Sequence, residues 1–118
     1  MRLVEIQGTD IELTDSIREY VNKRLERVAA LTEKFEPCDI RAELELTSKH
    51  HKTGQFHRAE FNLTIPGKLI RAENREHDMY AAVDKATDEL WRQVKEYKER
   101  LRDQARKNKK MELEEEEY

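Results

Sequence analysis

Between residues 39 and 65 the apolar residues of this chain recur every second position, and on either side they recur every three or four. In DIRAELELTS, Ile40, Ala42, Leu44 and Leu46 alternate with Arg41, Glu43, Glu45 and Thr47. In FHRAEFNLTIPG, Ala59, Phe61, Leu63 and Ile65 alternate with Arg58, Glu60, Asn62 and Thr64. Successive side chains of a strand point to opposite faces, so each segment has one apolar and one charged face. A sheet built from them has one face that meets water. Every covering element must then pack on the other face, which restricts the chain to a two-layer arrangement.

The remaining strands and turns follow from local chemistry. RLVEIQ reads as a short first strand ended by Gly8, and Lys49 to Gln55 as a polar loop containing Gly54. Pro66-Gly67 is a turn pair. Lys68 to Asn74 then gives a third, shorter strand of this group with Ile70 and Ala72 inward, forming a hairpin with its predecessor.

Two helices flank the strands. Thr14 can cap the first, with Asp15 and Glu19 near its positive end. Ile17, Tyr20, Val21, Leu25, Val28 and Leu31 form one apolar stripe, and the helix ends before Pro37. Asp78 is placed to cap the second. Its stripe, Met79, Val83, Ala86, Leu90, Val94, Tyr97 and Leu101, extends for about six turns. The order is β-α-β-β-β-α. The expected fold is an α/β (α+β) two-layer sandwich, with a four-stranded mixed sheet and both helices on one face. The β-α-β unit closes right-handed if its strands pair in parallel.

Composition agrees with a thin core, since 36% of residues are hydrophobic and 42% are charged. At 118 residues the chain is sized for one domain. The net charge of −3 gives no global attraction to polyanions. The distribution is uneven. Leu90 to Lys110 holds nine basic and three acidic residues, whereas Met111 to Tyr118 holds five Glu. The expected division is a folded domain over 1–107 and a disordered basic-to-acidic tail over 108–118.

Catalytic constellations are absent from the pattern. Cys38 is the only cysteine, so an intrachain disulfide and a CxxC zinc site are excluded. His50, His51 and His57 look superficially like metal ligands, but no acidic or Cys partner completes a site. The three glycines are isolated, so there is no phosphate loop. No enzyme, cofactor, metal or small-molecule substrate is expected. The N-terminus lacks a signal-peptide apolar run and no segment approaches a membrane span, so a cytoplasmic protein without membrane contact is expected.

The long helix carries the informative pattern. At 100° per residue, Arg92, Lys95, Lys98, Arg102 and Arg106 fall within about 120° of one another, opposite the apolar stripe. Lys98, Arg102 and Arg106 are spaced i, i+4, i+8, where like charges repel. Glu96 with Arg100 and Asp88 with Arg92 follow the favourable alternation. Arg18, Lys23, Arg24 and Arg27 add charge to the exposed side of the first helix. Side by side, the two helices present a basic platform suited to phosphates. Trp91 and Tyr80 flank it, placed to stack on bases or to seal the core rim. The outer sheet face lacks the aromatics of an RRM platform. The α-β-β-β-α order matches a double-stranded RNA-binding domain, but the Lys-rich start of that family's last helix is here the acidic EHDMYAAVDKA.

Residues 78–100, DMYAAVDKATDELWRQVKEYKER, carry a more specific resemblance. Asp78, Met79, Tyr80, Ala82, Asp84, Leu90, Arg92, Gln93, Lys95, Lys98 and Arg100 match the ribosome hibernation-promoting factor family, which includes protein Y and the sigma-54 modulation proteins. Val83 stands where Ile is common. In TDSIREYVNKRLERV, Thr14, Tyr20, Val21, Lys23, Leu25 and Arg27 fit as well. The resemblance covers about residues 1–103. It implies the same β-α-β-β-β-α fold. It also implies binding of the small ribosomal subunit, rRNA and ribosomal proteins, in the channel between head and body, blocking the mRNA track and the A- and P-site tRNA positions in stress or stationary phase. Lys23, Arg27, Lys85, Arg92, Lys95, Lys98 and Arg100 are then implied to face rRNA, and the charge ladder adds Arg102 and Arg106. A monomer is expected. Longer members carry a second, dimerising domain, and the MELEEEEY end is similar to the acidic extension of protein Y, a short form. A protein-binding regulator, as the older transcription-related name suggests, is the other reading; it would keep its main partner after ribonuclease treatment.

Overall fold

The computed structural model describes residues 1–47 and 56–116. The expected loop from Lys49 to Gln55, with His50 and His51, lies outside them. Four strands, β1 (Arg2–Thr9), β2 (Asp39–Thr47), β3 (Phe56–Ile65) and β4 (Lys68–Glu76), and two helices, α1 (Asp15–Leu31) and α2 (Met79–Glu116), follow in the order β1-α1-β2-β3-β4-α2. The sheet order is β1-β2-β3-β4, parallel between β1 and β2 and antiparallel elsewhere. It is the mixed sheet expected from the element order.

The alternating residues face as their sequence dictates except at the end of β2, where Leu46 stays out of the core and Thr47 is buried. Ile40, Ala42 and Leu44 pair with Leu63, Phe61 and Ala59, which pair in turn with Ile70, Ala72 and Asn74. All but Asn74 are at most 3% exposed. Val21, Leu25 and Val28 of α1 and Met79, Val83, Ala86, Leu90 and Val94 of α2 join them in one core. Both caps form as expected. Thr14 Oγ1 accepts from the Ile17 amide at 3.2 Å, and Asp78 Oδ2 from the Ala81 amide at 3.1 Å. Gly67 closes the β3–β4 turn at φ 76°, a region that glycine enters without steric cost.

Three local features depart from or add to these expectations. The first strand does not stop at Gly8 but runs through it to Thr9. A Cβ at Gly8 would lie 2.9 Å from both the Ile11 carbonyl oxygen and Leu13 Cγ. Glycine therefore lets the β1–α1 connection fold back closely over the strand. Second, the register with β2 shifts between Leu3 and Glu5. This bulge leaves Val4 exposed and turns both Leu3 and Ile6 toward the core.

The third change concerns α2. Its 38 residues measure about 57 Å, whereas the longest strand has 10 residues and spans roughly 34 Å. The ring of Tyr97 lies 5.8 Å from Lys68 Nζ, at the start of β4, and 6.0 Å from the ring of Phe35. Beyond Tyr97 the sheet has ended. Leu101, expected on the apolar stripe, is 42% exposed. The boundary expected at 107 has no mark in the backbone, because helix continues from there to Glu116.

Gly8→Val should destabilise the fold by about 1–3 kcal/mol, the usual range for overpacking. The urea midpoint should fall with an unchanged m-value; an unchanged midpoint would mean that the β1–α1 connection is free to move away.

Candidate nucleic-acid interface

The helix layer is joined across its middle by a clamp that ordinary periodicity does not reveal. The Tyr20 hydroxyl of α1 donates to Asp84 Oδ1 of α2. Arg24 Nε lies 3.0 Å from Asp84 Oδ1, and its Nη2 donates to Asp88 Oδ1 at 2.9 Å. Arg27 Nη1 lies 3.6 Å from the same Asp88 oxygen. Arg24 is thus a half-buried bridge rather than an exposed platform residue. The hydrogen bond to Asp84, and then burial, push the Tyr20 hydroxyl above its ordinary pKa of 10.0. Tyr80 meets Tyr20 edge to face, with centroids 4.9 Å apart, and stays 39% exposed.

The nine sequence-derived cations separate into two flanks and an overhang. Arg27 and Lys95 meet at Trp91, with Arg27 Cζ 4.1 Å and Lys95 Nζ 5.1 Å from the indole centroid. Lys23 lies on the same outer side of α1, lining with Arg24, Glu26 and Arg27 a shallow depression of about 420 Å³. Lys98 and Arg102 continue this flank, one and two turns beyond the Trp91–Lys95 pair.

Lys85 and Arg92 lie on the other flank, toward β4. Lys85 Nζ pairs with Glu76 at 2.7 Å, and Arg92 is held between Glu89 and Glu96. Hydrogen bonding from Arg92 keeps the Glu89 carboxyl below its ordinary range and raises the guanidinium. Arg92 therefore pairs with Glu89 and Glu96, not with Asp88, and Glu96 is not the partner of Arg100. Arg100 and Arg106 are exposed on the overhang. Among the described residues, Lys23, Lys95, Lys98, Arg100, Arg102 and Arg106 make no ion pair.

The outer sheet face shows the opposite condition. Arg58, whose side chain is only 12% exposed, lies among Glu43, Glu45, Glu60 and Glu73. Arg71 Nε pairs with Glu60 at 2.7 Å and Asn62 donates to it at 3.1 Å. Burial opposes the charge on Glu60, but the Asn62 bond and the charges of Arg58 and Arg71 outweigh it and hold the carboxyl below its ordinary value. The cations at the centre of this face are already neutralised. His57 faces the core side of β3, as its position predicts, and its Nδ1 is buried with no hydrogen-bond partner among the described residues. Cys38 is buried, which raises its thiol pKa. No described helix is long and apolar enough to cross a membrane.

Both the fold and the sequence have counterparts among known proteins. The family described as Sigma 54 modulation protein / S30EA ribosomal protein matches residues 4–102. The chain belongs to this family. A relative from Deinococcus radiodurans named ribosome hibernation promotion factor is 37% identical over 100 residues, which is 85% of this chain and 51% of that protein. The chain thus spans about half the length of that relative. A ribosome hibernation promoting factor from Pseudomonas putida is 35% identical, over 82% of this chain and 87% of its own length. The crystal structure of the Thermus thermophilus protein Y N-terminal domain superposes with a TM-score of 0.67 at 36% identity, covering 82% of this chain and 99% of that domain. A ribosomal subunit interface protein from Coxiella burnetii, at 22% identity and a TM-score of 0.64, shares the fold. The match to this S30EA-type family ends where α2 leaves the sheet.

Glu60→Gln should lower stability at pH 7. A carboxyl with a depressed folded pKa stabilises the fold above its ordinary pKa, 4.5 here, and loses that contribution as pH falls through the lower folded value. The difference in urea midpoint between wild type and Glu60→Gln should therefore shrink from pH 7 to pH 3. A difference that stays constant would show that the Glu60 charge contributes nothing.

Proposed function

We propose that this protein is a ribosome-associated hibernation factor that binds the small ribosomal subunit through its helix layer and blocks the mRNA track and the A- and P-site tRNA positions. The observation that carries the reading is the row of cations without a carboxylate partner: Lys23, Lys95, Lys98, Arg100, Arg102 and Arg106, among the described residues. Unpaired like charges weaken a helix by roughly 0.2–0.5 kcal/mol per i,i+4 pair. Phosphates reverse that cost, because each neutralised phosphate releases counterions and relieves the repulsion. Arg27 joins this row, since its distant contact to Asp88 leaves the guanidinium available.

Lys85 and Arg92 belong to the same surface in a lesser role. Each must loosen an existing carboxylate pair before it takes a phosphate, which reduces its net gain. The names of the relatives supply the ribosome as partner, and the charge pattern supplies rRNA as the component contacted. Binding needs no catalytic group. A cytoplasmic protein acting on idle ribosomes in stress or stationary phase fits this reading. The acidic end of α2, where Glu replaces Lys and Arg, modulates the association.

Combined reversal at Lys95, Lys98 and Arg102 to Glu should abolish co-sedimentation with small subunits at about 0.1 M salt and leave the thermal unfolding midpoint near wild type. Reversal of Lys85 and Arg92 should weaken binding less. Undiminished binding by the triple variant would refute the assignment of the surface, and loss of binding only at Lys85 and Arg92 would move the contact to the β4 flank.

A further inference from the structure

We propose that Trp91 is a positioning residue that holds Arg27 of α1 and Lys95 of α2 as a two-helix clip for an RNA phosphate, a role that rests on the RNA-binding reading above. The geometry is specific. Both cations lie within 5.1 Å of one indole centroid. Their separation is therefore below the Debye length of about 10 Å at 0.1 M salt, so their repulsion is only partly screened. The negative face of an indole attracts cations and offsets that repulsion.

Trp91 is half-buried, so the ring is fixed by the core while the charges it orders remain at the surface. Arg27 is also steered from behind by Asp88, which Arg24 anchors. Lys95 has no carboxylate partner among the described residues. The arrangement thus gathers two cations, one from each helix, at a single ring before any phosphate arrives, and a phosphate that bridges them neutralises both. Pre-ordering lowers the entropic cost of immobilising two long side chains on binding. With its ring engaged by two cations, Trp91 serves the interface by ordering charge rather than by stacking on a base.

The test compares Trp91→Leu, which removes the ring quadrupole, with Trp91→Phe, which keeps an aromatic face, in the full chain. Affinity for purified small ribosomal subunits is measured at several salt concentrations. Trp91→Leu should weaken binding roughly tenfold and reduce the slope of log K against log salt by about 0.7–0.9 for each phosphate no longer neutralised. Trp91→Phe should retain most of both. In a double-mutant cycle, Trp91→Leu should cost little more once Arg27→Gln is present. An unchanged affinity and slope in Trp91→Leu, or additive losses with Arg27→Gln, would overturn the clip.

A second arm separates this outcome from failure of the ribosome reading. Trp91 is the chain's single tryptophan, so its fluorescence reports the site directly. Inorganic tripolyphosphate should change the emission of the wild type, and Arg27→Gln or Lys95→Gln should suppress the change. If the wild type does not bind subunits but shows this response, the clip stands and the ribosome reading falls. An emission that tripolyphosphate leaves unaltered in the wild type would refute the clip whatever the subunits do.

Discussion

A sheet with one apolar and one charged face can be covered on one side only, and this constraint organises the whole molecule. The inward residues of β2, β3 and β4 need a lid, and one helix is too narrow to supply it. Two helices therefore lie next to each other, and their outer faces necessarily form a single surface. The clamp of Tyr20 and Arg24 with Asp84 and Asp88 fixes how they lie side by side. Without it, Arg27 and Lys95 would have no reason to meet at one ring.

The charges on the two sides of the molecule are used differently. On the sheet face, carboxylates surround Arg58 and Arg71, and opposing charges cancel locally. On the helix layer, Arg24, Lys85 and Arg92 are paired, while the cations along the α1 side of α2 and on its overhang are not. The net charge of −3 thus hides a sheet face whose central cations are paired and a helix layer with cations that are not, offset by the Glu-rich end. That asymmetry, rather than the total, gives the protein a side that can attract a polyanion. From Tyr97 to Lys110 the overhang extends the unsaturated side beyond the core by about 20 Å of helix.

Elements governed by local chemistry were legible in the sequence. Alternation assigned the inward residues of β2 to β4, and Thr14 and Asp78 marked both helix starts. The family resemblance in residues 78–100 agrees with the match over 4–102. What was not legible depended on distant partners. The bulge at Val4 exists because of the register with β2, and Gly8 matters because of Ile11 and Leu13. Periodicity extended the stripe to Leu101 because a helix pattern does not contain the length of the sheet beneath it. The choice of carboxylate by each arginine was hidden for the same reason. Spacing within α2 offers Arg92 an acid on either side, but Asp88 is taken by Arg24 from α1, some sixty residues away in sequence. The cluster at Trp91 had one visible sign, a tryptophan within a basic stretch, and its meaning required the second helix.

The most direct measurement places a photo-crosslinking residue at Lys98 in one protein and at Arg41, on the outer sheet face, in another, and irradiates each with small ribosomal subunits. If the unsaturated helix layer is the ribosome-facing surface, Lys98 should crosslink to rRNA and Arg41 should not. Crosslinks from Arg41 with none from Lys98 would contradict the account and turn the molecule over on its partner.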